Sequence, residues 1–471
     1  MNTILARHVS LLAVLMLFAP AVTPSVFAAD GAARPNFVVI MAEAQGWPNT
    51  SVMMDDKLPA SKSSSFKTPA IERLAREGMR FAYGYATSPR CTPSRASLFT
   101  GKTPAALRMT YVGVGGGGGP VRSALIPPEP VLELPMSETT VAELLKGAGY
   151  STAHFGKWHV GRVAPERHGF DESDGPNNNG GPDNVASPNP KQAYATLERG
   201  VAFMTRALKA EKPFYLQISH YPNQERKDGG RPTRDDVRAD SDEIDKTVMQ
   251  LLGALDQLGL TPNTYVIYTS DHGGQGRNGN APLSGGKGAV TEGGLRVPFL
   301  IRGPGIAGNL CSRVPVTACD VLPTIVELAG VKAALPAAVE GGSLAAVLRD
   351  PAGRGAVSRS REELVFHFPH YDLGNGGPAT AIRIGGYKLV RNYEKKTRRL
   401  FDLEQDPGEE RDLTATQPEK TAELDARLTA YLAAVTAQMA QPNPNYDPSK
   451  ADDPSTDERR GGKGAKQAKK R

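Results

Sequence analysis

The stretch Cys91-Thr92-Pro93-Ser94-Arg95-Ala96-Ser97-Leu98-Phe99-Thr100-Gly101 puts a lone cysteine where a turn hands over to a helix-prone run. Pro93 fits the first helical turn, where a missing N–H costs nothing, and Gly101 can close the short helix. Cys91 then stands at a helix N-terminus, among backbone N–H groups and the positive end of the helix dipole, a setting suited to an anion. A buried or redox cysteine is the plainer alternative, and the neighbouring residues decide against it.

Cys-x-Pro-Ser-Arg followed by Leu98 and Thr100-Gly101 resembles the signature of the sulfatase family, in which a separate enzyme oxidises the cysteine to formylglycine. The resemblance implies an aldehyde hydrate at position 91 as nucleophile, with Arg95 as a fixed cation beside it. Four further stretches resemble the same family. Gly156-Lys157-Trp158-His159-Val160-Gly161 is similar to its second signature, whose lysine and histidine face nucleophile and sulfate. Ser219-His220-Tyr221 matches a position for a histidine contacting the ester, and Ser270-Asp271-His272-Gly273 a metal-binding pair. In Gly285-Gly286-Lys287-Gly288, Lys287 falls on the leaving-group lysine.

The pattern breaks at Ala42-Glu43-Ala44-Gln45-Gly46-Trp47, where sulfatases usually carry two adjacent aspartates. Glu43 can still coordinate a hard cation, but Ala44 supplies no oxygen. Asp55, Asp56, Gln45 or a water could fill the gap, and the sequence does not choose among them. The metal set implied by the resemblance is therefore Glu43, Cys91, Asp271 and His272, with calcium the expected ion. The implied mechanism has one hydroxyl of hydrated formylglycine attack sulfur, giving a covalent sulfo-enzyme and releasing the alcohol. His220 and Lys287 are candidates to protonate the leaving oxygen, and His159 to deprotonate the remaining hydroxyl and expel sulfate. Lys157, Lys287, Arg95 and the metal would offset charge on the sulfate oxygens.

Short apolar runs at 36–41, 214–219, 264–269 and 297–301 alternate with helical patterns at 68–77, 194–208 and 244–258. That order argues for an α/β fold with a mostly parallel central sheet sandwiched by helices, functional residues gathering at strand C-termini. The family resemblance implies the alkaline-phosphatase-like version of that fold. Near residue 350 the texture turns to Pro, Gly, Arg and Ser; β-prone runs at 364–368, 379–384 and 387–390 and a helix through Leu424, Leu428, Leu432 and Val435 follow. Residues 29–350 are thus expected to form the catalytic domain and 351–441 a small α+β domain. His367, His370 and Tyr371, beside the glycines of 374–377, are candidates for binding sugar rings there.

Residues 1–28 read as a secretory signal: Arg7 and His8 precede an apolar run broken by Pro20 and Pro24, and Ala28 ends a small-residue cleavage site. Export to the periplasm or beyond is expected, with a membrane-tethered form as the alternative; no later segment is a transmembrane candidate. The formal charge of +6 resides in the tail, where 459–471 hold seven basic residues and no acid. Removing those seven leaves 49 basic against 50 acidic residues, so the body offers no electrostatic case for nucleic acid. Residues 442–471 read as a disordered basic tail. The glycines 115–119 lack phosphate-loop context. Cys311 and Cys319 could pair or stay separate.

The function this implies is hydrolysis of sulfate esters on a sulfated carbohydrate or aryl sulfate, after conversion of Cys91 by a maturase. A phosphate-ester hydrolase of the same fold and a non-catalytic sulfated-glycan-binding protein are the alternatives.

Overall fold

The computed structural model describes residues 34–113, 123–178, 192–221, 234–275, 279–372 and 376–450. The signal segment, the glycines 115–119, residues 373–375 and positions 451–471 of the expected tail lie outside them, whereas its start at 442–450 is folded, Pro442 pairing with Leu125 and Asn443 bonding the Ser123 carbonyl. No described helix is long and apolar enough to cross a membrane.

The strand Asn36–Ala42 is buried along its whole length and lies at the centre of an eight-stranded sheet. Its side chains alternate between two cores, as a strand covered on both faces requires. Phe37, Val39 and Met41 pack with Leu98, Phe99, Leu145 and Leu322 from the helices Cys91–Thr100, Val141–Gly147 and Val321–Leu328. Val38, Ile40 and Ala42 pack with Ile71, Leu74, Phe203, Val248 and Leu251 from the helices Pro69–Glu77, Ala193–Lys209 and Arg234–Gln257. The strands Ser151–Gly156, Phe214–Ser219 and Thr264–Ser270 run parallel to the central one. Leu300–Arg302 pairs antiparallel with Thr264–Ser270, and the three-residue strands Met79–Phe81 and Leu310–Ser312 extend that edge.

The register decides where the chemistry collects. Met41 lies beside Ser219, Ser219 beside Gly156, and Ala42 beside Ser270. Four strands therefore end at one level, and the next residues, Glu43, Lys157, His220 and Asp271, leave the sheet together. Gly156 is required there: its φ is +94°, and a Cβ would stand 1.9 Å from the Ser219 carbonyl oxygen.

Local expectations hold with two differences. Thr140 and Glu143 form the expected capping box. At Pro69–Glu77, Thr68 occupies the N-cap, but its hydroxyl serves Ser51. The capping acceptor is Asp245, which takes the Ala70 and Ile71 N–H groups at 2.9 and 3.0 Å. The run expected as a strand over 297–301 pairs only from Leu300 onward.

The C-terminal segment forms a four-stranded antiparallel sheet, Leu364–Phe368, Ala379–Ile384, Tyr387–Asn392 and Thr397–Asp402. One face packs Phe366 and Phe368 on Tyr83, Tyr85 and Leu295; the other takes Leu424 and Leu428 of the helix Pro418–Ala434. His367 and His370 are buried in this packing, not presented to a sugar: His367 bonds Thr380 and the Gln438 carbonyl, and His370 bonds Thr110. The tyrosine Tyr371 is partly buried with its hydroxyl on Glu394. Cys311 and Cys319 are unpaired thiols.

Burial of four histidines sets an acid limit. His154, ringed by Phe99, Trp158 and Phe170 at 5.8, 5.1 and 5.5 Å, has no ring hydrogen bond beyond its own backbone among the described residues. Burial, then the Arg95 charge, holds it down to about 3; burial likewise holds His220 and His367 to about 4 and His370 to about 3. An unfolded histidine titrates near ~6.5, so below that pH the unfolded chain binds protons the native chain refuses, and stability falls as pH drops towards ~4. Asp271 and Asp245, each pushed up to about 6 chiefly by burial, and Glu409, raised by burial, act in the opposite sense and offset part of this fall. The urea midpoint is expected to drop steeply from pH 6.5 to 5, less steeply in His154→Leu; a midpoint flat across that range would contradict this.

Candidate active site

Cys91 is the first residue of its helix, buried, with Gly101 closing the far end in the left-handed conformation at φ +68°. Its Sγ lies 3.2 Å from His272 Nε2, 3.5 Å from Glu43 Oε1 and 4.0 Å from Lys287 Nζ, and the His159 ring is a further hydrogen-bond partner. Burial and Glu43 push the thiol up, but Lys157, Lys287 and His272 outweigh them and hold it well below its ordinary value. The pocket thus stabilises negative charge at position 91.

Arg95, one turn along, faces the carboxylates. Its Nη2 donates to Glu43 Oε2 and Asp271 Oδ2, each at 3.0 Å, and Nη1 to the Lys157 carbonyl at 2.7 Å. Lys157 Nζ adds a 2.8 Å bond to Glu43 Oε2. Glu43 is accordingly held well below the usual carboxylate range by Lys157, Lys287 and Arg95, against the upward push of burial. Lys287 has a 20% exposed side chain, and although burial lowers it, Cys91 and Glu43 raise it further and keep it protonated.

The turn carrying Lys157 and His159 is braced by residues that have no signal in the sequence. Asn177 accepts from the Trp158 N–H and donates to the Gly156 carbonyl, and Thr92 Oγ1 donates to the His159 carbonyl. His159 is lowered by burial, so its imidazole is neutral. His220 pairs its Nε2 with Thr247 Oγ1 at 2.9 Å, and its Nδ1 is buried with no partner among the described residues.

The residues expected to hold a metal converge. One donor atom each from Glu43, Cys91, Asp271 and His272 lies within 4.8 Å of the others, all four residues buried. Arg95 engages the outer oxygens of the two carboxylates, so Glu43 Oε1 and Asp271 Oδ1 face inward, 3.9 and 3.5 Å from His272 Nε2. His272 Nδ1 donates to the Gly273 carbonyl, which leaves the Nε2 lone pair directed at the cluster. Two carboxylates, an imidazole and the side chain of residue 91 fit a divalent cation. Among the described residues, no replacement for the missing aspartate joins them. Gln45 is engaged by Tyr268 and Asn49, Asp55 pairs with Arg313 and Asp56 with Arg80. Ala44, at φ +53°, instead donates its N–H to Asp271 Oδ1 at 3.0 Å.

Comparison with known proteins agrees with this geometry. Residues 35–331 match the sulfatase family model, and 286–438 match a model described as N-sulphoglucosamine sulphohydrolase, C-terminal. A sulfatase of Formosa agariphila is 27% identical, the match covering 89% of this chain and 92% of that protein. The N-acetylgalactosamine-6-sulfatase of Sus scrofa is 30% identical over 75% of this chain and 71% of its own. Among solved structures, the sulfatase PsFucS1 from Pseudoalteromonas sp. superposes with a TM-score of 0.67 at 23% identity, covering 88% of this chain and 92% of that one. The alkaline-phosphatase-like α/β fold and the site define a hydrolase of sulfuric esters. The chain belongs to the sulfatase family. Neither the phosphate-ester nor the non-catalytic reading gains support from these relatives.

Proposed function

We propose that the protein is an exported, calcium-using sulfatase of sulfated carbohydrates, matured by oxidation of Cys91 to formylglycine and organised as a catalytic segment 29–350 with a C-terminal segment 351–441. The observation that carries this reading is the gathering of Lys287 and His159 at residue 91, with Lys157 on Glu43 beside it, above two carboxylates and an imidazole. Relatives named for their action on glycans, such as the ulvan-active sulfatase of Formosa agariphila at 29% identity, support the substrate class.

Hydrated formylglycine supplies two hydroxyls on one carbon, a nucleophile for sulfur and a second group whose deprotonation lets sulfate leave. A divalent ion at Glu43, Asp271, His272 and residue 91 supplies positive charge against the sulfate oxygens. Arg95 holds those two carboxylates and the Lys157 carbonyl in place. Lys157 keeps a buried positive charge beside the nucleophile. Lys287, protonated and the more exposed of the two lysines, donates its proton to the leaving oxygen. His220 is poorly suited to that step, since its ring is held neutral to about 4 and is bound to Thr247. His159, neutral and in contact with residue 91, accepts the proton of the second hydroxyl.

Lys157→Ala should slow turnover by about 10²-fold or more, the usual cost of removing one preorganised charge partner. Steady-state kinetics on the folded variant check this, and unchanged kinetics would remove Lys157 from the site. The substrate class is tested by measuring sulfate release from a panel of sulfated polysaccharides, their oligosaccharides and an aryl sulfate. Release from the saccharides is expected; hydrolysis of phosphate esters alone would contradict the reading.

A further inference from the structure

Lys287 sits midway along the loop between Ser284 and Glu292, flanked by Gly285, Gly286 and Gly288. Gly285 and Gly288 have φ of +73° and +90°. Such a segment has little stiffness of its own, so an ammonium group carried on it needs holding from outside. The Lys287 and Gly288 N–H groups are held by the Gly274 and Pro89 carbonyls at 3.0 Å each, and the two ends of the loop are held in addition by the C-terminal segment. Glu409 Oε2 accepts the Ser284 hydroxyl at 2.6 Å and the Glu292 N–H at 2.7 Å, so one carboxylate oxygen ties both ends of the loop. Its other oxygen, Oε1, lies 2.9 Å from Lys388 Nζ, and Lys388 also reaches Glu292 Oε1 at 2.9 Å. Glu409 is 4% exposed; Glu292 and Lys388 are fully buried. Glu292 Oε2 further accepts the Tyr85 hydroxyl at 2.8 Å.

Burying two carboxylates and an ammonium contributes little net stability, because desolvation offsets most of their attraction. What such a network supplies is geometry. We infer that Glu409, fixed by Lys388, is a positioning residue for the reaction, clamping the loop so that Lys287 Nζ meets the leaving oxygen. The inference rests on the reading of Lys287 as leaving-group acid. As the S–O bond breaks with its electron pair remaining on the ester oxygen, the Lys287 ammonium supplies the proton, and a loosened clamp weakens that transfer. The loss is greatest where the leaving oxygen is most basic, since an acidic phenol departs without help.

The test is a series of aryl sulfates of graded phenol acidity, measured with the full-length matured enzyme, Lys287→Ala, Glu409→Gln and the milder Ser284→Ala, each checked for cooperative melting. Glu409→Gln is expected to lower kcat by about tenfold on the least acidic phenol and by less than about twofold on 4-nitrophenyl sulfate, with KM little changed. Ser284→Ala should show the same selectivity in smaller measure. Combined with Lys287→Ala, Glu409→Gln should add no further selective loss, because both act through one group. Uniform losses across the series in both clamp variants, with Lys287→Ala selective, would overturn the clamp and leave the acid role standing. An unselective Lys287→Ala would overturn the acid role and the clamp together.

Discussion

Cys91→Ala is expected to lower turnover of any sulfate ester by about 10⁶-fold, the scale seen when an enzyme loses its covalent nucleophile. The size follows from the arrangement around Sγ. His159, Lys287 and the inward carboxylate of Glu43 all take their partner at residue 91, and none of them can attack sulfur in its place. Alanine leaves the helix Cys91–Thr100 and its packing intact, so the folded protein is expected at normal yield. Cys91→Ser should be nearly as inactive, since a serine has one oxygen and cannot form the geminal diol from which sulfate is expelled. Sulfate release by the purified variants measures this. A folded Cys91→Ala variant retaining more than about a hundredth of wild-type turnover would remove residue 91 from the chemistry.

The second large effect is expected at the cation cluster. Asp271→Asn keeps the shape of a fully buried side chain but removes one of two carboxylate charges, and affinity for a hard cation falls with ligand charge. Calorimetric titration of the stripped protein with calcium should show binding in wild type and none in Asp271→Asn. Turnover should fall by about 10²-fold or more, exceeding the usual cost of losing an outer partner of a metal ligand. Activity should likewise be lost with chelator and return with added divalent ion. Ala44→Asp is expected to tighten binding, and its backbone favours the change: Ala44 already stands at φ +53°, where aspartate is better tolerated than alanine. Turnover need not rise with it, because another negative charge beside sulfate opposes the substrate. Absence of calcium binding in wild type would contradict the assignment of Glu43, Asp271 and His272 as a cation site.

Much of this site was legible because its members occupy short, contiguous stretches at strand ends or a helix start. Cys91, Arg95, Lys157, Asp271, His272 and Lys287 carry local patterns, and the parallel sheet brings them to one level. The partners that hold them were not legible, because contacts across 21 to 125 residues leave no local mark. Asn177 bracing Gly156, Thr247 holding the His220 ring and Glu409 tying Ser284 are of this kind. The same reason accounts for Asp245 capping a helix whose own N-cap threonine serves Ser51. Arg95 illustrates a finer limit: its motif implied a cation at the sulfate, while its hydrogen bonds go to the carboxylates below. The strands Met79–Phe81 and Leu310–Ser312 are too short for a periodic signal, and Thr397–Asp402 is obscured by its charges.

The central claim is that residue 91 works as formylglycine, and peptide mass spectrometry tests it most directly. The protein is made in a host that possesses the maturation machinery, beside a control sulfatase, alkylated, and the peptide containing residue 91 is weighed. The account predicts the mass of formylglycine at residue 91, in a fraction that tracks sulfate release across preparations. A fully alkylated Cys91, alongside a modified control and undiminished sulfate release, would contradict it.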